Sequence, residues 1–128
     1  MAAHNIPFVA TANIAYMEDY LAKLKYAMAV KNGLSYIHLF SPCPVGWKFP
    51  PSLTLEISRL AVETNLFPLW EAKEGKFKIT LEVPNPRPLD DYVKLMGKFA
   101  HLTAGDIKEL KYTADENLAL VKKLVKAS

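Results

Sequence analysis

Two apolar runs with one amphipathic helix between them constrain this chain more than any other feature. Residues 6–12 (Ile6-Pro7-Phe8-Val9-Ala10-Thr11-Ala12) and 34–40 (Leu34-Ser35-Tyr36-Ile37-His38-Leu39-Phe40) read as strands, the first of the buried type. Between them, residues 17–31 place Tyr20, Leu21, Leu24, Ala27 and Met28 on one helical face, with Asn32-Gly33 as the stop signal. A parallel strand pair needs a crossover and cannot be joined by a tight turn. The order strand, helix, strand therefore predicts a parallel pair with a right-handed connection. Asn5, just before the first strand, suits the end of a helix, so the chain is expected to open on a helical tail.

The second strand runs into Ser41-Pro42-Cys43-Pro44-Val45-Gly46-Trp47, which holds the only cysteine. Each proline fixes its own φ and removes a backbone donor, so Cys43 is expected on a stiff, extended loop. Ligands of open parallel sheets gather beyond the carboxyl ends of strands, and Cys43 lies just past such an end. A lone cysteine is by default a small buried hydrophobe. The loop and the strand-end position favour a ligand instead, and iron–sulfur ligand runs often end in Cys-Pro, as Cys43-Pro44 does. One thiolate is a single ligand of the four that such a cluster or a structural zinc requires. The remainder of any such site is expected from outside this chain.

Beyond the loop, Pro50-Pro51-Ser52 opens a helix over residues 53–65 with Leu53, Ile57, Leu60 and Ala61 inward. Residues 67–72 and 76–83 read as two strands around Glu74-Gly75. The second alternates Phe77, Ile79, Leu81 and Val83 with Lys76, Lys78, Thr80 and Glu82. A hairpin with such a wet face is expected outside the parallel core. Asn85-Pro86-Arg87-Pro88 reads as a stiff linker into a helix over 89–99 carrying Tyr92, Val93 and Met96 inward. Asp90-Asp91 in its first turn offsets the helix dipole. Thr103 and Asp106 resemble a capping pair for a final helix to about residue 126. Its stripe is Ile107, Leu110, Ala114, Leu118, Val121 and Val125, and its length, about 33 Å, would let it brace a neighbouring subunit. The fold class is thus α/β, a parallel strand–helix–strand core followed by a β-hairpin and C-terminal helices. Residues 1–66 form the first part and 67–128 the extension of the same structural unit.

Composition excludes several function classes. A net charge of +3 from scattered lysines gives no basic stripe for nucleic acid; Lys122, Lys123 and Lys126 instead complement the end of the last helix. A single cysteine allows no internal disulfide and fits a reducing cytoplasm. No apolar run reaches membrane-spanning length, and the first residues have no signal-peptide pattern. His4 and His101 read as helix-terminal residues without metal-ligand spacing. His38, five residues before Cys43, is expected to meet a hydrogen-bond partner in the next layer. A Cys43–His38 hydrolase pair lacks an orienting group and an oxyanion motif. Trp47 and Trp70 read as packing residues, with Trp47 shielding the cysteine loop, and Gly46 could supply a tight turn. No glycine-rich phosphate loop is present, so neither catalytic nor cofactor-phosphate residues are assigned.

Several segments resemble the beta subunit of pyruvate:ferredoxin oxidoreductase (pyruvate synthase). They are residues 1–12 with Ile14-Ala15-Tyr16, Ser35-Tyr36-Ile37-His38 leading to Ser41-Pro42-Cys43-Pro44-Val45-Gly46-Trp47, and Arg59-Leu60-Ala61-Val62-Glu63-Thr64. Phe67-Pro68-Leu69, Gly75-Lys76-Phe77-Lys78-Ile79-Thr80 and Phe99-Ala100-His101-Leu102-Thr103 complete the set, in order along nearly the whole chain. The resemblance is to the C-terminal portion of that subunit and implies part of a thiamin diphosphate-binding fold. It implies that Cys43 is the fourth ligand of a [4Fe-4S] cluster whose other three cysteines lie in the subunit's N-terminal part. The family's Gly-Asp-Gly and Asn-Thr-Gly motifs for thiamin diphosphate and Mg2+ are absent here, so the chain alone is expected to be inactive. In the whole enzyme the resemblance implies oxidative decarboxylation of a 2-oxoacid to its acyl-coenzyme A, with electrons leaving through iron–sulfur clusters to ferredoxin. The implied partners are the other subunits, the N-terminal part of the same subunit, ferredoxin, the 2-oxoacid and coenzyme A, in the cytoplasm. The alternative is a non-catalytic scaffold or subunit-interaction module with Cys43 structural.

Overall fold

A computed structural model describes all 128 residues. The chain opens on a 3-10 turn, Ala2–His4, closed by Asn5 in the left-handed conformation (φ 55°), a backbone that asparagine tolerates better than most residues. β1 (Phe8–Asn13) follows, then α1 (Met17–Ala29) and β2 (Ser35–Phe40), which lies parallel to β1 in the register Phe8 to Ser35 through Asn13 to Phe40. All six residues of β1 are buried, as befits a strand covered on both faces.

The sheet has four strands in the order β2-β1-β3-β4. β3 (Leu69–Lys73) and β4 (Lys76–Leu81) form the expected hairpin, its two-residue turn made by Glu74 (φ 48°) and Gly75 (φ 78°). Contrary to the sequence expectation, the hairpin is not set apart from the parallel core. β3 pairs antiparallel with β1, so the sheet is mixed and continuous. The wet face of β4 is real, but β3 buries Leu69 and Ala72 beside β1. Thr11 ties the junction by donating its hydroxyl to the Pro68 carbonyl (2.7 Å) while accepting the Trp70 N–H (3.0 Å). Trp70 stacks on Phe77 across the hairpin, 5.6 Å between rings, as a packing residue.

After β2 come α2 (Pro44–Trp47), a 3-10 turn at Pro51–Leu53, and α3 (Thr54–Glu63), whose Ile57, Leu60 and Ala61 face inward as expected. The helix expected over 89–99 is broken. Only α4 (Asp90–Val93) is α-helical, and a 3-10 turn, Gly97–Phe99, follows. Tyr92, Val93 and Met96 are nevertheless buried, in one cluster with Phe49, Ile57, Leu60, Ala61 and Leu89. α5 (Ala104–Ala127) runs 24 residues and packs against β4. It begins with a reciprocal capping box: Asp106 N–H donates to Thr103 Oγ1, and Thr103 N–H donates to Asp106 Oδ2.

α1 departs from its expected face. Leu21 and Met28 are exposed, and the residue buried in their place is Lys23. The inward stripe runs through Tyr20, Lys23 and Ala27, and Lys23 enters because its ammonium finds three acceptors. These are the Thr11 carbonyl (2.8 Å), Asp19 Oδ2 (2.6 Å) and Thr80 Oγ1 (2.8 Å). An ammonium has three donors, so its hydrogen-bonding capacity is filled.

Candidate functional site

Three residues separate Phe40, the end of β2, from Pro44, the start of α2, and Cys43 is the last of them. Pro42 is buried and anchors the loop. Cys43 is extended (φ −106°, ψ 107°), as the following Pro44 favours, and its side chain is exposed. The thiol is therefore presented outward from a rigid frame.

Backbone hydrogen bonds close the loop behind the sulfur. Trp47 N–H donates to the Cys43 carbonyl (2.9 Å), Phe49 N–H to the Pro44 carbonyl (3.1 Å), and Gly46 N–H to Cys43 Sγ (3.4 Å). Amide donors to a sulfur are among the contacts by which a loop tunes an iron–sulfur ligand. A Cβ at position 46 would stand 3.3 Å from Sγ, so the glycine leaves the sulfur its space. Gly46 does not make the tight turn expected of it; that turn belongs to Lys48, whose φ is 56°.

The frame is braced by a segment distant in sequence. Gly97 N–H donates to the Lys48 carbonyl at 2.8 Å, and a Cβ at Gly97 would fall 2.7 Å from the Lys48 Cβ. Lys98 places Nζ 3.5 Å above the Trp47 ring, and burial there pushes its pKa down. Trp47 also meets Phe40 (5.6 Å) and Phe49 (6.5 Å). Trp47 thus packs the underside of the loop and does not shield Cys43, which stays exposed. Val45 beside it is 89% exposed, an apolar side chain at the tip of the site.

Gly97 and Lys98 were not foreseen as site residues. The signal was the glycine itself, which is costly within a helix and often marks close backbone approach. His38 is exposed and lies edge-on to Phe67 at 5.3 Å; no hydrogen bond joins it to Cys43 or to the next layer. His4 ends the first 3-10 turn and His101 lies two residues past the turn Gly97–Phe99, and no three His, Cys, Asp or Glu side chains converge anywhere in the chain. A metal centre that used Cys43 would need its other donors from outside this chain. The outward thiol of Cys43 and the amide on its sulfur fit one corner of an iron–sulfur cluster. The residues here do not fit thiamin diphosphate or Mg2+: neither a carboxylate cluster nor a glycine-rich phosphate loop is present. No helix is long and apolar enough to cross a membrane.

No protein-family model matches the chain. Curated proteins do. Over 124 residues the chain is 47% identical to the ketoisovalerate oxidoreductase subunit VorB of Pyrococcus abyssi, covering 95% of this chain and 40% of that protein. Over 121 residues it is 44% identical to the pyruvate synthase subunit PorB of Methanocaldococcus jannaschii, covering 94% and 40%. The beta subunit of the NADH-dependent phenylglyoxylate dehydrogenase of Aromatoleum evansii is 42% identical over 126 residues, covering 97% and 28%. The chain thus spans about two fifths of the length of the first two relatives and less of the third.

Proposed function

We infer, for a chain that belongs to the beta-subunit family of the 2-oxoacid:ferredoxin oxidoreductases and corresponds to a C-terminal stretch of it, that it supplies Cys43 as one thiolate ligand of a [4Fe-4S] cluster in the assembled enzyme. The observation that carries this reading is the geometry of one sulfur. Cys43 is exposed at the end of β2, framed by two prolines, with an amide donor on Sγ, and no group of three His, Cys, Asp or Glu side chains forms in this chain.

A cluster held there would pass single electrons between the substrate site and an external acceptor. The chain's own residues hold the corner still. Pro42 and Pro44 fix the direction of the thiolate, and the Gly46 amide stabilises its negative charge. The Lys48–Gly97 hydrogen bond and the Lys98–Trp47 contact keep the loop from opening.

The whole enzyme's activity follows as part of the same proposal. A 2-oxoacid is oxidatively decarboxylated to acyl-coenzyme A, and the electrons go to ferredoxin through iron–sulfur clusters. The names of two relatives, pyruvate synthase and ketoisovalerate oxidoreductase, support the class. Thiamin diphosphate and Mg2+ belong to polypeptide beyond these residues, and this stretch alone is inactive. The partners are the remainder of the same subunit and the other subunits, in the cytoplasm. Residues 1–66 and 67–128 act as one structural unit, a reading supported by the apolar cluster that joins Phe49, Ile57 and Leu60 to Leu89, Tyr92 and Met96.

The test is Cys43→Ser in the assembled enzyme, read as iron per subunit and as activity. Iron content falls and turnover drops at least about tenfold if the assignment holds. Wild-type iron content in the variant removes Cys43 from the ligand set.

A further inference from the structure

One cation beside the cysteine loop has no counterion. Lys98 Nζ lies 3.5 Å above the Trp47 ring and 4.7 Å from the centre of the Phe99 ring, and it joins none of the molecule's ion pairs. Both rings pack against the apolar cluster that holds Phe49, Leu60 and Met96, so the ammonium rests on hydrocarbon and is half-buried. Burial pushes its pKa down, as it does for a charge without a partner. The sequence around it is one-signed. Residues 38–55 and 92–105, which build the loop and its brace, contain no aspartate or glutamate. Their fixed charges are Lys48, Lys94 and Lys98, and Lys94 is answered by Asp91 at 3.2 Å. The whole chain sets 13 acids against 16 lysines and arginines, so an acid-free frame is a local property of this site.

A [4Fe-4S] cluster gains negative charge when it takes up an electron, so a fixed cation nearby favours the reduced form and raises the potential. Lys98 is such a cation. Its neighbour Gly97 donates to the Lys48 carbonyl at 2.8 Å, and Trp47, under the ammonium, donates to the Cys43 carbonyl at 2.9 Å. Trp47 follows Cys43 by one helical turn, roughly 6 Å along the axis. The ammonium is thus linked to the sulfur's loop through an aromatic ring and one turn of helix, and charge acting through protein is screened less than through water. Lys48 is exposed, and solvent screens it more. A cation–π contact accounts for where the Lys98 ammonium sits, but not for the lack of any acid to neutralise it.

We propose that Lys98, acting across Trp47, raises the reduction potential of the cluster that Cys43 ligates. The inference rests on the Cys43 assignment and deepens it. In the oxidative direction the two electrons of the 2-oxoacid reach the cluster singly and leave it for ferredoxin. Lys98 gives and takes neither electron nor proton. Its charge makes the cluster a better acceptor in the first transfer and a weaker donor in the second.

The test is a redox titration of the assembled oxidoreductase followed by electron paramagnetic resonance, with iron measured in the same sample. The signal to read is the one that Cys43→Ser abolishes or alters. Lys98→Met keeps most of the stem and removes the charge. The equilibrium constant for reducing that cluster should fall about three- to tenfold, a midpoint up to about 59 mV more negative. Lys98→Arg keeps the charge and should keep the wild-type midpoint. An unmoved midpoint in Lys98→Met at wild-type iron content overturns the proposal. So does an equal shift in Lys98→Arg, which marks packing rather than charge, or a raised KM for ferredoxin with the midpoint unmoved. Should Lys98→Met lose the cluster, Lys98→Gln is read in its place; loss in both makes the residue structural and ends the proposal. Where Cys43→Ser leaves every signal unchanged, the ligand assignment fails and this inference falls with it. A Cys43-dependent signal indifferent to Lys98 removes this inference alone.

Discussion

Lys23 is only 2% exposed, and its ammonium is tolerated because three acceptors from two strands and one helix surround it. Replacing it with Met leaves the Thr11 carbonyl and Thr80 hydroxyl short of a donor and Asp19 without its cation. Urea unfolding of Lys23→Met should show a loss of about 2–4 kcal/mol. Burial pushes the Lys23 pKa below its usual value, with Asp19 opposing the shift. A group that releases its proton more readily when folded gives stability that rises with pH between its folded pKa and about 10.5. The wild type should therefore gain stability relative to Lys23→Met as pH climbs toward 10. Tyr92 has the opposite sign. Burial pushes its pKa up to about 12, so the folded state keeps a proton that the unfolded chain releases from about pH 10. Stability should fall between pH 10 and 12 by up to about 2–3 kcal/mol, and Tyr92→Phe should flatten that part of the profile. Tyr92 was legible as an inward residue from its spacing. Lys23 was not, because a helical stripe is judged by hydrophobicity and the acceptor that makes burial possible sits 57 residues away.

Elements that carry their own boundary signals were read closely from sequence. The Asn5 terminus, the Glu74-Gly75 turn and the Thr103–Asp106 cap all appear where local chemistry put them. Thr103→Ala should cost about 1 kcal/mol, measurable as a fall in melting temperature. Hydrogen bonds from Thr103 hold the Asp106 carboxyl below its usual pKa, so the contribution of the box is lost as pH drops through that range. The helix expected over 89–99 failed for a long-range reason: Gly97 leaves helical geometry to bond Lys48 with no room for a Cβ. Gly97→Ala should destabilise the chain by about 1–3 kcal/mol through overpacking, with faster amide exchange at Gly46 and Trp47 as its local mark. Unaltered exchange there would separate Gly97 from the cysteine loop. The position of the hairpin was misjudged because an alternating strand reveals one wet face but not which strand it will join.

At the scale of the whole molecule, the sheet ends cleanly at β4 and openly at β2, and the cysteine loop lies at the carboxyl end of the open strand. The parallel pair and the loop at its end were legible because periodicity and proline act locally. The braces on that loop and the exposed flank of α1 were not, since both depend on which surfaces meet. On the proposed ligation, the donors that accompany Cys43 come from polypeptide of the subunit outside residues 1–128. The most direct measurement is an anomalous-scattering map of the assembled enzyme recorded at the iron absorption edge. The account predicts an iron peak at bonding distance from Cys43 Sγ, within a cluster whose other protein ligands come from outside residues 1–128. A free Cys43 thiol with every iron peak bound by other residues would contradict it.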